Sequence, residues 1–232
     1  MSIAENVAYI RERVTNAARR AGRDPSAIAL MAVSKTFPPE SIREAHAAGL
    51  RLFGENRVQE FDAKLNSLHD LPGADWHLIG HLQSNKAARA AELFTAVDSL
   101  DSPKLAEKLN AAAEQAAKTL PVLIEINVGG EQAKTGLAPN SEEFEMILSA
   151  APQWKNLHIQ GLMTVPPFAD DPEQARPYFR KLREIRDRIA ARLLPAVAMN
   201  VLSMGMSHDF EVAIEEGSTC VRIGTAIFGE RA

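Results

Sequence analysis

The chain has 232 residues, 46% of them apolar and 24% charged, with 26 lysines and arginines against 30 aspartates and glutamates. A net charge of −4, spread along the chain, leaves no basic patch or stripe for nucleic acid. No apolar run approaches the ~18 residues of a membrane span, Ser2-Ile3-Ala4-Glu5 carries no leader pattern, and the one cysteine, Cys220, cannot close an internal disulfide. The expectation is a cytoplasmic protein of one domain over residues 1–232, binding neither nucleic acid nor membrane.

The opening segment reads as a helix. Ser2 and Glu5 have capping-box spacing, and Ile3, Val7, Ile10 and Val14 recur on one face. Short β-rich runs then alternate with helical stretches. The strands are expected at Ile28 to Ser34, Arg51 to Gly54, Trp76 to Gly80, Phe94 to Val97 (ending at Asp98-Ser99), Val122 to Val128, Ile159 to Val165, Val197 to Met204, and Cys220 to Ile223. Between them, Ser102-Pro103, Asn140-Ser141-Glu142-Glu143 and Asp171-Pro172-Glu173-Gln174 have the chemistry of helix starts. His208-Asp209 reads as a loop or another helix start. Strands alternating with helices predict a parallel sheet. Eight such units in this length suit a closed (β/α)8 TIM-type barrel, with an open doubly wound sheet as the alternative.

In such a barrel the functional groups stand at the carboxyl ends of the strands. The first strand delivers Lys35, the second Glu55 and Asn56, the third His77 and Gly80-His81, the fifth Asn127, and the sixth Met163-Thr164. The seventh delivers Ser203-Met204-Gly205-Met206-Ser207 and the eighth Arg222 and Gly224-Thr225. Two hydroxyls and Gly205 after strand seven, with Gly224, Thr225 and a helix start after strand eight, make a phosphate cup. The same residues also suit plain tight turns. Lys35 is either a solvated loop lysine or, opposite that cup, the amine that holds a phosphate-bearing aldehyde as a Schiff base. Arg222 and Cys220 alternate across Val221, which points both into the barrel. There Arg222 either pairs with Glu55 in the core or faces a cofactor's ring. Lys134, in the loop after strand five, is a further anion contact or part of a surface turn. The six histidines assemble no convincing metal site, and no glycine-rich nucleotide loop is present.

Several separated motifs carry a resemblance that spans essentially the whole chain. They are Ala32-Val33-Ser34-Lys35, Phe53-Gly54-Glu55-Asn56-Arg57-Val58-Gln59-Glu60, Trp76-His77-Leu78-Ile79-Gly80-His81-Leu82-Gln83-Ser84-Asn85-Lys86, Gly161-Leu162-Met163-Thr164, Leu202-Ser203-Met204-Gly205-Met206-Ser207, and Val221-Arg222-Ile223-Gly224-Thr225-Ala226-Ile227-Phe228-Gly229. The chain thereby resembles the pyridoxal 5′-phosphate (PLP) homeostasis proteins. Leu78 departs from the phenylalanine or methionine common there, which leaves the cofactor expectation intact. The resemblance implies a fold type III barrel like the N-terminal domain of alanine racemase. It implies PLP on Lys35, Asn56 near it, Arg222 at the pyridine nitrogen, and Ser203, Gly224 and Thr225 around the phosphate. It also implies a role in vitamin B6 balance.

Two functions follow from these expectations. One is a carrier that buffers PLP or delivers it to apo-PLP enzymes, without catalysis of its own. The other is a PLP-dependent amino-acid racemase, which needs a second acid/base across the cofactor from the lysine. The racemases draw a tyrosine for that purpose from a second domain. Here Ala232 comes eight residues after Gly224, so no such domain is expected, and Tyr9 and Tyr178 fall in helical stretches. An arginine at the ring also makes a weak electron sink. Both points favour a monomeric carrier. A third reading, a phosphate-binding barrel isomerase, leaves Lys35 a plain electrostatic group.

Overall fold

The structure is a computed structural model that describes residues 1–131 and 135–230, so Lys134 lies outside the described residues. Eight described strands run in chain order around a closed parallel barrel. They are β1 (Ala29–Val33), β2 (Leu52–Glu55), β3 (Asp75–Leu78), β4 (Ala96–Leu100), β5 (Leu120–Glu125), β6 (Leu157–Met163), β7 (Val197–Ser203) and β8 (Cys220–Ile223). β8 closes on β1 from Ala29 opposite Cys220 to Ala32 opposite Ile223, which rules out the open doubly wound sheet. β4, β5 and β8 are buried along almost their whole length, and the closed sheet leaves no edge unpaired among the described strands.

The helices form the outer layer. α1 (Ile3–Arg20) starts at the Ser2–Glu5 capping box and buries Val7, Ile10, Val14, Ala17 and Ala18. α2 (Pro39–Ala47), α3 (Val58–Leu65) and α4 (Ala87–Leu93) follow β1, β2 and β3. α5 (Pro103–Gln115) has Ser102 as its cap, accepting from the Leu105 N–H, with proline at its first turn. α6 (Glu142–Ala150) is capped by Ser141. α7 (Arg176–Ala190), α8 (Phe210–Glu215) and the one-turn α9 (Thr225–Phe228) complete the layer. Between strands and helices, Trp76 stacks on Phe53 at 4.8 Å and meets Phe61 at 4.7 Å, and Phe61 meets Phe94 at 4.9 Å. This aromatic cluster locks α3 onto β2 and β3, whose carboxyl ends carry part of the site.

Several boundaries differ from the sequence expectation. β4 runs through Asp98 and Ser99 to Leu100, because Asp98 is buried inside the barrel beside His77 (Nδ1 to Oδ1, 3.1 Å) and a paired carboxylate need not end a strand. β5 stops at Glu125; Ile126 then forms an isolated bridge with Leu137, so residues 126–128 leave the sheet. β3, β6 and β7 end at Leu78, Met163 and Ser203, short of the expected ends. The Asp171-Pro172 start opens a 3-10 turn, Pro172–Ala175, and the α-helix begins only at Arg176. No helix among the described residues is long and apolar enough to cross a membrane.

Candidate functional site

At the carboxyl ends of the strands lies a cavity of about 590 Å³, within the ~300–1,000 Å³ span of small-molecule sites. Lys35, Asn56, Ser207, Arg222, Gly224 and Thr225 line it together. A second cavity, about 490 Å³, opens at the other end of the barrel beside His77, Asp98 and Cys220. Barrel chemistry belongs at the carboxyl end, and burial pushes the Cys220 thiol up to about 12, which leaves it an inert core group.

Arg222 is a buried charged group in the wall of the carboxyl-end cavity. Its side chain is 3% exposed and donates through Nη1 to Ser203 Oγ and through Nη2 to the Thr164 carbonyl, both at 2.7 Å. The Thr164 hydroxyl in turn donates to the Ile126 carbonyl at 2.6 Å, tying β6 to the end of β5. Burial draws the guanidinium below its ordinary value, opposed by Asp98, Glu125 and Asp209, and an arginine stays charged even so. Of the two alternatives for Arg222, the pairing with Glu55 is not formed; Glu55 instead accepts from Ser34 and Lys64.

The cup residues divide. Ser207 Oγ accepts from the Ala226 N–H at 3.3 Å, joining the loop after β7 to the first turn of α9 beside Gly224 and Thr225. Ser203 and Gly205 do not line the cavity. Ser203 is fully buried and spends its hydroxyl on Arg222, so it orients the guanidinium rather than standing at an anion. Gly205 has φ +95°, and a Cβ there would come within 2.5 Å of Ala213 Cβ, so glycine is required for the loop to turn under α8. The turn is held by Asp209 Oδ1, which accepts from the Met206 N–H at 2.7 Å.

Lys35 is partly buried in the turn after β1, the strand that pairs with β8, so it stands beside the Gly224-Thr225 loop and not opposite it. Asn56 follows β2 and sits against Gly80, where a Cβ would meet the Asn56 carbonyl oxygen at 2.3 Å. Asn127, expected at the site, does not line the cavity: its side chain bridges the Gly130 N–H and the Glu131 carbonyl within its own loop.

Further groups complete the wall, of which the sequence reading placed His81 at a strand end but not Glu125, His208 or Phe168. Glu125 ends β5 in the cavity; Oε1 accepts from the Thr135 hydroxyl at 2.7 Å, and Oε2 has no hydrogen-bond partner among the described residues. Burial raises this carboxyl above its ordinary value, opposed by the Thr135 hydrogen bond and by Arg222. His81, 2.8 Å from Asp101, and His208 also line the cavity, as does Phe168, which is 80% exposed. The sequence reading ran the fifth strand on to Val128, which left Glu125 in mid-strand, and an apolar run with one glutamate does not show which face that residue takes. Neither Tyr9 nor Tyr178 lines the cavity, whereas Glu125, His81 and His208 do.

The family model described as "Alanine racemase, N-terminal domain" matches residues 5–232. A curated relative from Aquifex aeolicus, named pyridoxal phosphate homeostasis protein, is 48% identical over 100% of this chain and 99% of its own. One of the same name from Pseudomonas aeruginosa is 45% identical over 99% of this chain and 96% of its own. Among solved structures, PipY of Synechococcus elongatus PCC7942 with PLP bound superposes with a TM-score of 0.85 at 36% identity, over 98% of this chain and 100% of that one. By fold, by family model and by full-length relatives, the chain belongs to the alanine racemase N-terminal-domain family, within its pyridoxal phosphate homeostasis proteins.

Proposed function

We propose that this chain binds PLP at the carboxyl end of the barrel, linked to Lys35 as a Schiff base, and buffers it or delivers it to apo-PLP enzymes. The observation that carries this reading is the one cavity that Lys35, Ser207, Gly224 and Thr225 line together, with the buried Arg222 guanidinium in its wall. The donor set fits the group. A primary amine meets an aldehyde, backbone N–H groups and hydroxyls at a helix start meet a phosphate, and Arg222 presents N–H donors to a ring nitrogen. Bound there, PLP supplies an aldehyde that reacts with primary amines. Arg222 keeps its own proton, so it supports the ring by hydrogen bonding and leaves the ring a weak electron sink. Ser203 and the Thr164 carbonyl hold the guanidinium fork in place for that contact. The names of the full-length relatives and the PLP bound to PipY support the same reading. A monomer in the cytoplasm is the form proposed to act.

The test is borohydride reduction of the PLP-loaded protein followed by peptide mapping. Label on Lys35, lost in Lys35→Ala together with the visible absorbance, is expected; label elsewhere alone refutes the assignment. Delivery is tested by transfer to an apo-PLP enzyme in the presence of a trap for free PLP, where transfer outpacing the trap is expected. The racemase reading stays measurable because Glu125 places a titratable carboxyl in the cavity. Catalytic exchange of the α-proton across a panel of D- and L-amino acids would overturn the carrier reading.

A further inference from the structure

The two residues that flank Lys35 are both fastened to one buried charge cluster. Before it, Ser34 is fully buried; its hydroxyl donates to Glu55 Oε1 at 2.8 Å and its carbonyl accepts from Lys64 Nζ at 3.2 Å. After it, the Thr36 N–H donates to Glu60 Oε1. Lys64 ties the two carboxylates together, at 3.3 Å to Glu55 and 2.9 Å to Glu60, with only 12% of its side chain exposed. Glu55 is wholly inaccessible, and its Oε2 has no hydrogen-bond partner among the described residues.

Such a cluster is a poor choice for stability alone. Buried ion pairs roughly break even against apolar packing of the same volume, and an unsatisfied carboxylate oxygen is a cost. The backbone between the anchors is also strained. Thr36 has φ +67°, a left-handed conformation that a β-branched residue adopts only when its surroundings impose it. In that conformation the Thr36 N–H is held by Glu60 Oε1.

We propose that Glu55, Glu60 and Lys64 are positioning residues that hold the backbone on both sides of Lys35 so that its amine is aimed into the cavity for attachment to PLP; this rests on the assignment of Lys35 as the attachment point. Attachment joins Nζ to the aldehyde carbon, and the aldehyde oxygen leaves with the two amine hydrogens as water. The amine lone pair must therefore meet the carbonyl carbon along a narrow approach. Lys64 clamps the Ser34 carbonyl while Glu60 clamps the Thr36 N–H, so the backbone is held on both sides of Lys35.

The experiment separates aim from pocket. Lys64→Met keeps the aliphatic stem and removes the clamp. Because it also leaves Glu55 buried without its cation, the double variant Glu55→Gln, Lys64→Met is measured beside it as a neutral replacement. Two ligands are used: PLP, and pyridoxine 5′-phosphate, whose alcohol cannot form the linkage. Both variants are expected to slow borohydride-trapped labelling of Lys35 by about tenfold to a hundredfold, the usual effect of a misplaced reacting group. Pyridoxine 5′-phosphate should bind as in the unmodified chain, and Lys64→Arg should restore much of the rate. Labelling at the unmodified rate in the double variant overturns the proposal. So does a parallel loss of both ligands, which would mark the cluster as structural. No label on Lys35 in the unmodified chain would overturn the attachment assignment itself, and the proposal with it.

Discussion

Replacing Arg222 with methionine removes the guanidinium but keeps a flexible chain of similar length. In the structure the guanidinium makes two hydrogen bonds of 2.7 Å, to Ser203 Oγ and the Thr164 carbonyl. Hydrogen bonds from a charged donor contribute about 1.5–3 kcal/mol each, so the gross loss is roughly 3–6 kcal/mol. Part is offset, because a charge no longer has to be buried. Glu125 and Asp209, both raised by burial and both drawn down by Arg222, lose an opposing charge and bind protons more readily. The net cost is about 2–4 kcal/mol, or roughly 5–15 °C in Tm for a domain of this size. Urea titration of the ligand-free protein reads it directly, with an unchanged slope expected. PLP affinity, measured separately by absorbance, should fall as well. A loss under about 1 kcal/mol with unchanged PLP affinity would refute the reasoning, since the arginine would then be anchoring neither the wall nor the ligand.

The pH dependence of stability should carry a signature from His77, whose Nδ1 lies 3.1 Å from Asp98 and whose Nε2 lies 3.6 Å from Asp75. Burial works against its charge, but the two aspartates outweigh it and push the imidazole up to about 10. The folded value lies above the unfolded one, so the stabilisation is complete below about pH 6.5 and is lost as pH rises through about 10. It is on the order of 4 kcal/mol, and His77→Gln should abolish the corresponding difference between urea midpoints at about pH 7 and about pH 10.5. An identical pH dependence in both proteins would dismiss the ion pair. Gly80→Ala would drive a Cβ to 2.3 Å from the Asn56 carbonyl oxygen. It should cost about 1–3 kcal/mol of stability and weaken PLP binding through Asn56, as judged by denaturation and absorbance titration; wild-type behaviour in both would show that this wall yields freely.

The order of strands and helices was written in the sequence, because period and cap chemistry are local. The Ser2–Glu5 box, Ser102-Pro103 and the apolar run into Glu125 each act through neighbours within one turn or one strand. The strand ends that carry Lys35, Asn56, Arg222 and Thr225 followed from the barrel rule, and the structure gathers them in one cavity. Strand ends set by long-range pairing were not legible. Asp98 looks like a stop until His77 is placed beside it across β3 and β4. Partner choice among buried charges was equally hidden. Arg222 and Glu55 are complementary on paper, yet each takes other partners, because a side chain's direction depends on the tilt and stagger of the closed barrel. Tertiary closure alone set Glu125 in the cavity with Arg222 and gathered Glu55, Glu60 and Lys64 around the two ends of the Lys35 turn. Burial, hydrogen-bond partners and opposing charge belong to strands brought together from distant parts of the chain, and no local pattern contains them.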